Sequence, residues 1–170
     1  KDFEYLVDKL TLREVAINGQ RVIVRVDYNV PIAENQVTDD TRIKATLPTL
    51  EHLRSENAKI IICSHFGRPN GKVVESERLG VVANHLQSIT DIPVKYVTET
   101  IGPEATTAAT RLNPGELLIL ENLRFHPGEE SNDPSFAKAL SEFGTLFVND
   151  ALGAAHRAHA STYGITQFLP

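Results

Sequence analysis

Basic side chains recur in short polar segments of this sequence, each directly after an apolar run. Ser64-His65-Phe66-Gly67-Arg68 follows KIIIC, and Glu121-Asn122-Leu123-Arg124 follows ELLIL. The guanidinium group of arginine presents a planar set of donors that matches phosphate or carboxylate oxygens. Taken singly, each arginine is better explained by a structural salt bridge, but together they favour a shared anion-binding site. The candidate side chains are Arg68, Arg124, Arg157, His65 and His156.

Residues from three further places in the sequence extend this candidate site. The first apolar run, RVIVRV, is followed by Asp27-Tyr28-Asn29. Arg42 opens a helical pattern after the polar segment AENQVTDDT, and from there it could reach back toward Asp27. An arginine on a helix surface is an equally good interpretation from position alone. Gly67 gives the loop after KIIIC a backbone that can approach a ligand closely.

The apolar runs that precede these segments are typical of strands buried on both faces, as in parallel sheets. They are rich in Val, Ile and Leu, four to six residues long, and nearly continuous rather than alternating. The carboxyl ends of parallel strands share one edge, where α/β proteins bind ligands. The predicted strands are RVIVRV (21–26), KIIIC (59–63), VKYV (94–97), ELLIL (116–120) and TLFV (145–148).

Helical patterns alternate with these runs. The first has apolar residues from Ile43 to Leu53 on one face, with Pro48 predicted to kink or break it. The second covers Leu79 to Ile89, and a weaker one covers 102–112. In the last, Asp133 resembles an N-cap and Gly144 is predicted to end the helix. The sequence therefore predicts an α/β fold: a Rossmann-like three-layer domain of residues 1–170, with a central parallel sheet flanked by helices.

Composition excludes several classes of protein. The chain has 170 residues, 41% of them hydrophobic, and a net charge of −5 at pH 7. No apolar run approaches the roughly 18 residues that span a bilayer, and the acidic balance argues against nucleic acid as a partner. The one cysteine, Cys63, lies within an apolar run and is predicted to be a small core residue. A cytoplasmic location is the natural inference.

Several short motifs fail as alternatives. GRPNGK is one residue too short for a nucleotide phosphate loop, and Val73 stands where Ser or Thr would bind magnesium. No G-x-G-x-x-G follows the first run, so the dinucleotide motif is missing. His156 and His159 lack a third ligand, and no metal is predicted. Glu129-Glu130 is predicted to be a solvated pair rather than an acid–base dyad.

The motifs at the strand ends resemble those of the phosphoglycerate kinase family. They occur in the family's order and spacing, and the match runs from about Thr11 to Gly164. Departures are mild: Tyr28 stands where Phe is common, and Phe66 and Leu152 replace other apolar residues. The four motifs are RVDYNVP, SHFGRPNGK, LENLRF and FVNDALGAAHRAHAS.

The resemblance implies a reversible phosphoryl transfer between 1,3-bisphosphoglycerate and ADP, giving 3-phosphoglycerate and MgATP. It implies that Asp27 and Asn29 contact the glycerate. Arg42 would meet the carboxylate and the transferring phosphoryl group, as the catalytic residue. The distant phosphate would be held by His65, Arg68, Arg124 and Arg157, with Gly67 and His156 in supporting roles.

The resemblance also implies that this is the N-terminal, phosphoglycerate-binding lobe of a two-lobe, monomeric enzyme. The nucleotide lobe, which would bind Mg-ATP or Mg-ADP, is expected to be a separate part, and no cofactor is expected in this chain. The lobe alone is expected to bind 3-phosphoglycerate weakly and to transfer no phosphate. A phosphate-ester binding module without catalysis remains an alternative, as does a nucleotide-binding α/β domain.

Overall fold

The computed structural model describes residues 17–150 of the chain. Its centre is a sheet of five strands in the order β5-β6-β4-β1-β7, and every neighbouring pair is parallel. The parallel sheet predicted from the five apolar runs is therefore confirmed. Its strands are β1 (Arg21–Val26), β4 (Lys59–Cys63), β5 (Val94–Tyr96), β6 (Leu117–Ile119) and β7 (Leu146–Asp150).

A two-stranded antiparallel hairpin, β2 (Ile32–Ala33) and β3 (Gln36–Val37), follows β1. Its turn residues Glu34 and Asn35 both have positive φ, as a tight hairpin turn requires. The helices are α1 (Thr41–Lys44), α2 (Leu47–Ser55), α3 (Gly80–Ile89), α4 (Pro103–Thr110) and α5 (Pro134–Ser141), with short 3₁₀ turns at Glu75–Glu77 and Leu123–Phe125. The longest of them has ten residues, so none in the described range could span a bilayer.

Two apolar layers sandwich the sheet, because alternate side chains of each strand face opposite sides. Val22 and Val24 of β1 pack in the layer that also holds Ile43, Leu50, Leu53, Val82 and Leu86 of α1, α2 and α3. Ile23 of β1 packs in the other, with Ala105, Ala109, Phe136 and Leu140 of α4 and α5. Helices therefore cover both faces, which is why the strands read as unbroken apolar runs.

The predicted break at Pro48 is confirmed. The pattern from Ile43 to Leu53 forms two helices rather than one, and Pro48 lies in the first turn of the second. A proline is tolerated there because the first helical N–H groups have no partner within the helix. The break makes α1 a separate four-residue helix directly after the hairpin.

The end of α5 differs in detail from the prediction. Asp133 is the N-cap, and its carboxylate accepts a hydrogen bond from Ser135 N. The helix ends at Ser141, before Gly144, and Gly144 does not have the positive φ of a glycine cap. A Cβ on Gly144 would lie 2.8 Å from Arg21 O, so close packing against β1 is the reason for a glycine there. The first dozen residues, whose sequence favours a short helix, lie outside the described residues.

Candidate functional site

The carboxyl ends of the parallel strands bring those predicted site residues that lie within 17–150 to one edge of the sheet. Arg42, on α1, reaches back to the loop after β1, where its Nη1 lies 3.0 Å from Asp27 Oδ2 and 3.2 Å from Oδ1. The same nitrogen donates to Asn29 O at 3.0 Å. The side chain of Arg42 is 56% exposed, so the ion pair is open to solvent and to a ligand.

A chain of hydrogen bonds continues from this ion pair to the next strand end. Asn29 N donates to Asp27 Oδ1 at 3.1 Å, and Asn29 Oδ1 accepts from Gly67 N at 3.0 Å. Gly67 O in turn accepts from Arg124 Nη1 at 3.2 Å. Two cations that are 82 positions apart in the sequence are thus joined through three residues, Asp27, Asn29 and Gly67.

Gly67 is required by its backbone conformation. Its φ is +63°, in a backbone region that residues other than glycine rarely occupy. A Cβ there would lie 2.5 Å from the carboxyl carbon of Glu77. The atoms closest to Gly67 on that side therefore belong to Glu77, and the close approach made possible by this glycine includes a neighbouring carboxylate of the same chain.

His65 is buried, with 7% of its surface exposed, and its Nδ1 lies 2.9 Å from Arg25 Nη2. Since a guanidinium group can only donate, Nδ1 accepts this bond. Arg25 itself is fully buried within β1 and also donates to Val26 O. Sequence reasoning missed Arg25. Its signal was an arginine inside an otherwise apolar strand, where a buried charge needs partners.

Arg124 and Arg68 differ in their surroundings. Arg124 is 6% exposed and lies in the 3₁₀ turn after β6, beside the loop of Gly67. Arg68 is exposed, and none of the residues in 17–150 gives it a hydrogen bond or ion pair. Arg157 and His156 lie outside the described residues, so their predicted roles stay predictions.

Sequence reasoning also missed Glu121, which is 1% exposed. Its Oε1 accepts from Leu79 N at 2.8 Å, at the start of α3, and its Oε2 accepts from Arg78 Nη1 at 3.3 Å and from the hydroxyl of Tyr96. This carboxylate fastens the segment before α3 to the end of β6. The neighbouring Asn122 is fully buried and makes several hydrogen bonds of its own.

The prediction for Glu129 was wrong. Its side chain is fully buried rather than solvated, whereas Glu130 is exposed. Charge alone gave no signal of this, because burial depends on the fold around the loop that leads to α5. The prediction for Cys63 is confirmed: it is fully buried, and burial raises the pKa of its thiol to about 12.

The side chains of Tyr28, Thr46 and Ser64, beneath the strand-end loops, are buried. The Tyr28 hydroxyl is bonded to Thr46 Oγ1 at 2.7 Å, and burial raises the pKa of Tyr28, with a smaller contribution from the negative charge of Asp150. Main-chain Tyr28 N donates to Ser64 Oγ at 3.0 Å, which ties the first two strand-end loops together. Buried residues that are hydrogen-bonded to one another therefore lie beneath the strand-end loops.

The donor set favours an anion rather than a metal. Within residues 17–150, no three His, Cys, Asp or Glu side chains are grouped as metal ligands. The oxygen-rich ligand sets that Mg²⁺ prefers are thus not found in the part of the chain that the structure describes. The guanidinium groups of Arg42, Arg68 and Arg124 instead offer donors for phosphate or carboxylate oxygens.

Comparison with known proteins agrees with this chemistry. A family model described as phosphoglycerate kinase matches residues 12–170. A phosphoglycerate kinase of Moorella thermoacetica is 54% identical over 162 residues, which are 95% of this chain and 41% of the relative. One of Herpetosiphon aurantiacus is 54% identical over 165 residues, 96% of this chain and 42% of the relative. The chain therefore spans about two fifths of the length of these relatives.

Solved structures give the same result. The phosphoglycerate kinase of Pyrococcus horikoshii superposes with a TM-score of 0.84 at 32% identity, over 94% of this chain and 40% of that one. The enzyme of Coxiella burnetii has a TM-score of 0.79 at 32% identity, over 92% of this chain and 39% of its own. By sequence, by fold and by the motifs at its strand ends, the chain belongs to the phosphoglycerate kinase family.

Proposed function

We propose that this chain is the lobe of a phosphoglycerate kinase that binds 3-phosphoglycerate and 1,3-bisphosphoglycerate. The observation that carries the proposal is the hydrogen-bonded chain from Arg42 through Asp27, Asn29 and Gly67 to Arg124. It holds two cations at separate places on one edge of the sheet. A three-carbon acid with a phosphate at its far end carries negative charge at both ends and fits such an arrangement.

We assign the two ends of the ligand to different cations. The phosphate goes to the end where His65, Arg68 and Arg124 follow β4 and β6, with Arg157 as a further partner. The carboxylate end goes to Arg42. Arg42 uses Nη1 for its contacts with Asp27 and Asn29, so Nη2 remains as a donor for the ligand. Asp27 and Asn29, between the two ends, are assigned to the glycerate.

The proposed reaction forms a bond between a carboxylate oxygen of 3-phosphoglycerate and the terminal phosphorus of ATP. The bond from that phosphorus to the bridging oxygen breaks, and ADP leaves with the electron pair. The attacking group is already a carboxylate, so no general base is needed. Catalysis of this kind depends on positioning and on stabilising charge, which arginine supplies.

The nucleotide belongs to another part of the enzyme in this proposal. The described residues carry neither phosphate-loop motif nor a grouped set of magnesium ligands. The relatives are more than twice as long as the matched region, which leaves room for a nucleotide lobe. Closure of two lobes would bring the substrates together and exclude water.

Calorimetric titration of the 170-residue chain tests the proposal. We expect binding of 3-phosphoglycerate, weaker binding of glycerate or inorganic phosphate, and no binding of MgATP. Arg124→Gln should weaken the binding of 3-phosphoglycerate, whereas Arg111→Gln, an exposed arginine at the end of α4, should leave it unchanged.

Three outcomes would contradict the proposal. Preference for an unrelated phosphate ester would favour a binding module without this chemistry. Binding of MgATP without 3-phosphoglycerate would favour a nucleotide domain. Turnover of ATP and 3-phosphoglycerate by the chain alone would show that no second lobe is needed.

A further inference from the structure

The side chain of Asn122, at the end of β6, uses its whole hydrogen-bonding capacity inside the protein. Its Oδ1 accepts from Phe66 N at 3.1 Å and from Arg124 N at 3.0 Å. Its Nδ2 donates to Phe66 O at 2.7 Å and to Glu77 O at 3.0 Å. A primary amide has two acceptor positions and two donor hydrogens, so all four are occupied.

These four bonds join three separate segments. Phe66 precedes Gly67 in the loop after β4, Arg124 lies in the 3₁₀ turn after β6, and Glu77 lies in the 3₁₀ turn before α3. Both main-chain groups of Phe66 are held, which fixes the peptide that leads into Gly67. The amide of Asn122 therefore sets the distance between Gly67 and the main chain of Arg124.

We propose that Asn122 is a positioning residue for the phosphate end of the substrate site, a role that rests on the proposed function. It does not touch the ligand. It holds the Gly67 peptide and the Arg124 main chain so that Gly67 O meets Arg124 Nη1 and the guanidinium group keeps its place. Groups that orient a substrate must be held close to their productive geometry, so a displacement of Gly67 and Arg124 weakens binding even though both residues remain present.

The structure provides a matched control on the same residue. Thr100 is buried, and its Oγ1 donates to the main-chain oxygen of Asn122 at 2.9 Å. Thr100→Val removes one buried hydrogen bond to Asn122 but leaves the side-chain amide and its four partners in place. If Asn122 served only stability, both substitutions would lower the melting temperature and neither would change the affinity for 3-phosphoglycerate.

The test measures dissociation constants of 3-phosphoglycerate and of glycerate for the 170-residue chain and two variants. For Asn122→Ser we expect about tenfold or more weaker binding of 3-phosphoglycerate, with glycerate binding changed much less. For Thr100→Val, which removes one hydrogen bond rather than four, we expect a smaller fall in melting temperature and unchanged affinity for both ligands. Equal affinity of Asn122→Ser and the wild type for 3-phosphoglycerate would overturn the assignment, as would equal losses for both ligands.

A measurement on the wild type covers the case in which Asn122→Ser does not fold. In ¹H–¹⁵N spectra, the side-chain NH₂ of Asn122 and the amides of Phe66 and Arg124 should shift on addition of 3-phosphoglycerate and not of glycerate. Unmoved signals at saturation would contradict the positioning role. If the wild type bound no 3-phosphoglycerate at all, the proposed function would fail instead, so the two failures are distinct.

Discussion

The side-chain oxygen of Asn29 accepts a hydrogen bond from the main-chain N–H of Gly67 at 3.0 Å. The two residues follow different strands, β1 and β4, which are neighbours in the sheet. Because an N–H group can only donate, the atom of the amide that faces Gly67 is Oδ1, and Nδ2 remains a donor. A single contact thus connects the loop that binds Arg42 with the loop that binds Arg124.

Arg42 is expected to matter for turnover more than for stability. In a two-lobe enzyme that contains this chain, Arg42→Ala should lower kcat by about 10³, since an arginine at a transferring phosphoryl group contributes factors of that size. The ion pair with Asp27 is solvent-exposed, and such pairs contribute about 1 kcal/mol or less. The melting temperature should therefore barely change.

Lys44→Ala is the matched control for Arg42. Lys44 lies on the same short helix and pairs with Asp40 at 3.5 Å, away from Asp27. The kcat of the Lys44→Ala variant should equal that of the wild type. A kcat for Arg42→Ala within twofold of the wild type would contradict the assignment of Arg42.

Substitution of Gly67 should be costly for two separable reasons. Gly67→Ala forces a Cβ into a left-handed conformation, at about 1–2 kcal/mol, and brings it against the Glu77 carboxylate. Gly19→Ala isolates the first cost, because Gly19 has a φ of +74° and nothing within 4 Å of its would-be Cβ. Urea unfolding should show a larger loss for Gly67→Ala than for Gly19→Ala.

The substitution Glu77→Ala tests the second cost, which is the contact between the new Cβ at position 67 and the Glu77 carboxylate. In the double variant Gly67→Ala with Glu77→Ala, the free energy of unfolding should return toward the value of Gly19→Ala. If Glu77→Ala gave no recovery, contact with that carboxylate would not be the source of the difference.

Cys63 is expected to make the stability of the fold decrease as pH rises above about 9. Burial raises the pKa of its thiol from the usual 9.0 to about 12, so above pH 9 the unfolded chain loses a proton that the folded chain keeps. The contribution is fully present below pH 9 and falls as pH rises, by up to about 1.4 kcal/mol per pH unit. Between pH 9 and 11, Cys63→Ala should lose less stability than the wild type in denaturant titrations. Parallel pH profiles for the two proteins would contradict this.

His85 is expected to control the titration of Asp40. His85 Nε2 lies 2.9 Å from Asp40 Oδ2, and this hydrogen bond is the main reason that the pKa of Asp40 is lowered. A lowered pKa stabilises the fold above the pKa of the unfolded carboxyl, and this stabilisation is lost as pH falls through the folded pKa. In ¹³C carboxyl NMR titrations, His85→Gln should raise the pKa of Asp40, and Lys44→Gln should raise it less. An unchanged Asp40 pKa in His85→Gln would show that another group sets it.

Most of the fold could be predicted from the hydrophobic pattern of the sequence and from the positions where the strands end. Runs such as KIIIC are typical of buried strands, because both faces of a parallel sheet are covered. The carboxyl ends of parallel strands share one edge, and this predicts that Asp27, Gly67 and Arg124 lie at the same edge of the sheet. The contact of Arg42 with Asp27 was one of two interpretations that position alone allowed, the other being an arginine on a helix surface.

Buried polar contacts were not foreseeable in the same way. Arg25, Glu121 and Asn122 each have at least one partner 40 or more residues away, such as Arg25 with His65 and Glu121 with Leu79. A local pattern contains no information on such pairs. The burial of Glu129 was missed for the same reason, because burial depends on the fold and not on the local sequence.

The short links between Arg42 and Arg124 have a consequence for which acids can be accepted. Only Asp27, Asn29 and Gly67 lie between the two guanidinium groups, so hydrogen bonds within the protein constrain their separation before any ligand binds. If the proposed assignment of the two ligand ends holds, we expect acids with one carbon fewer or one carbon more to bind more weakly. The sheet edge would then select its ligands by the length of their carbon skeleton.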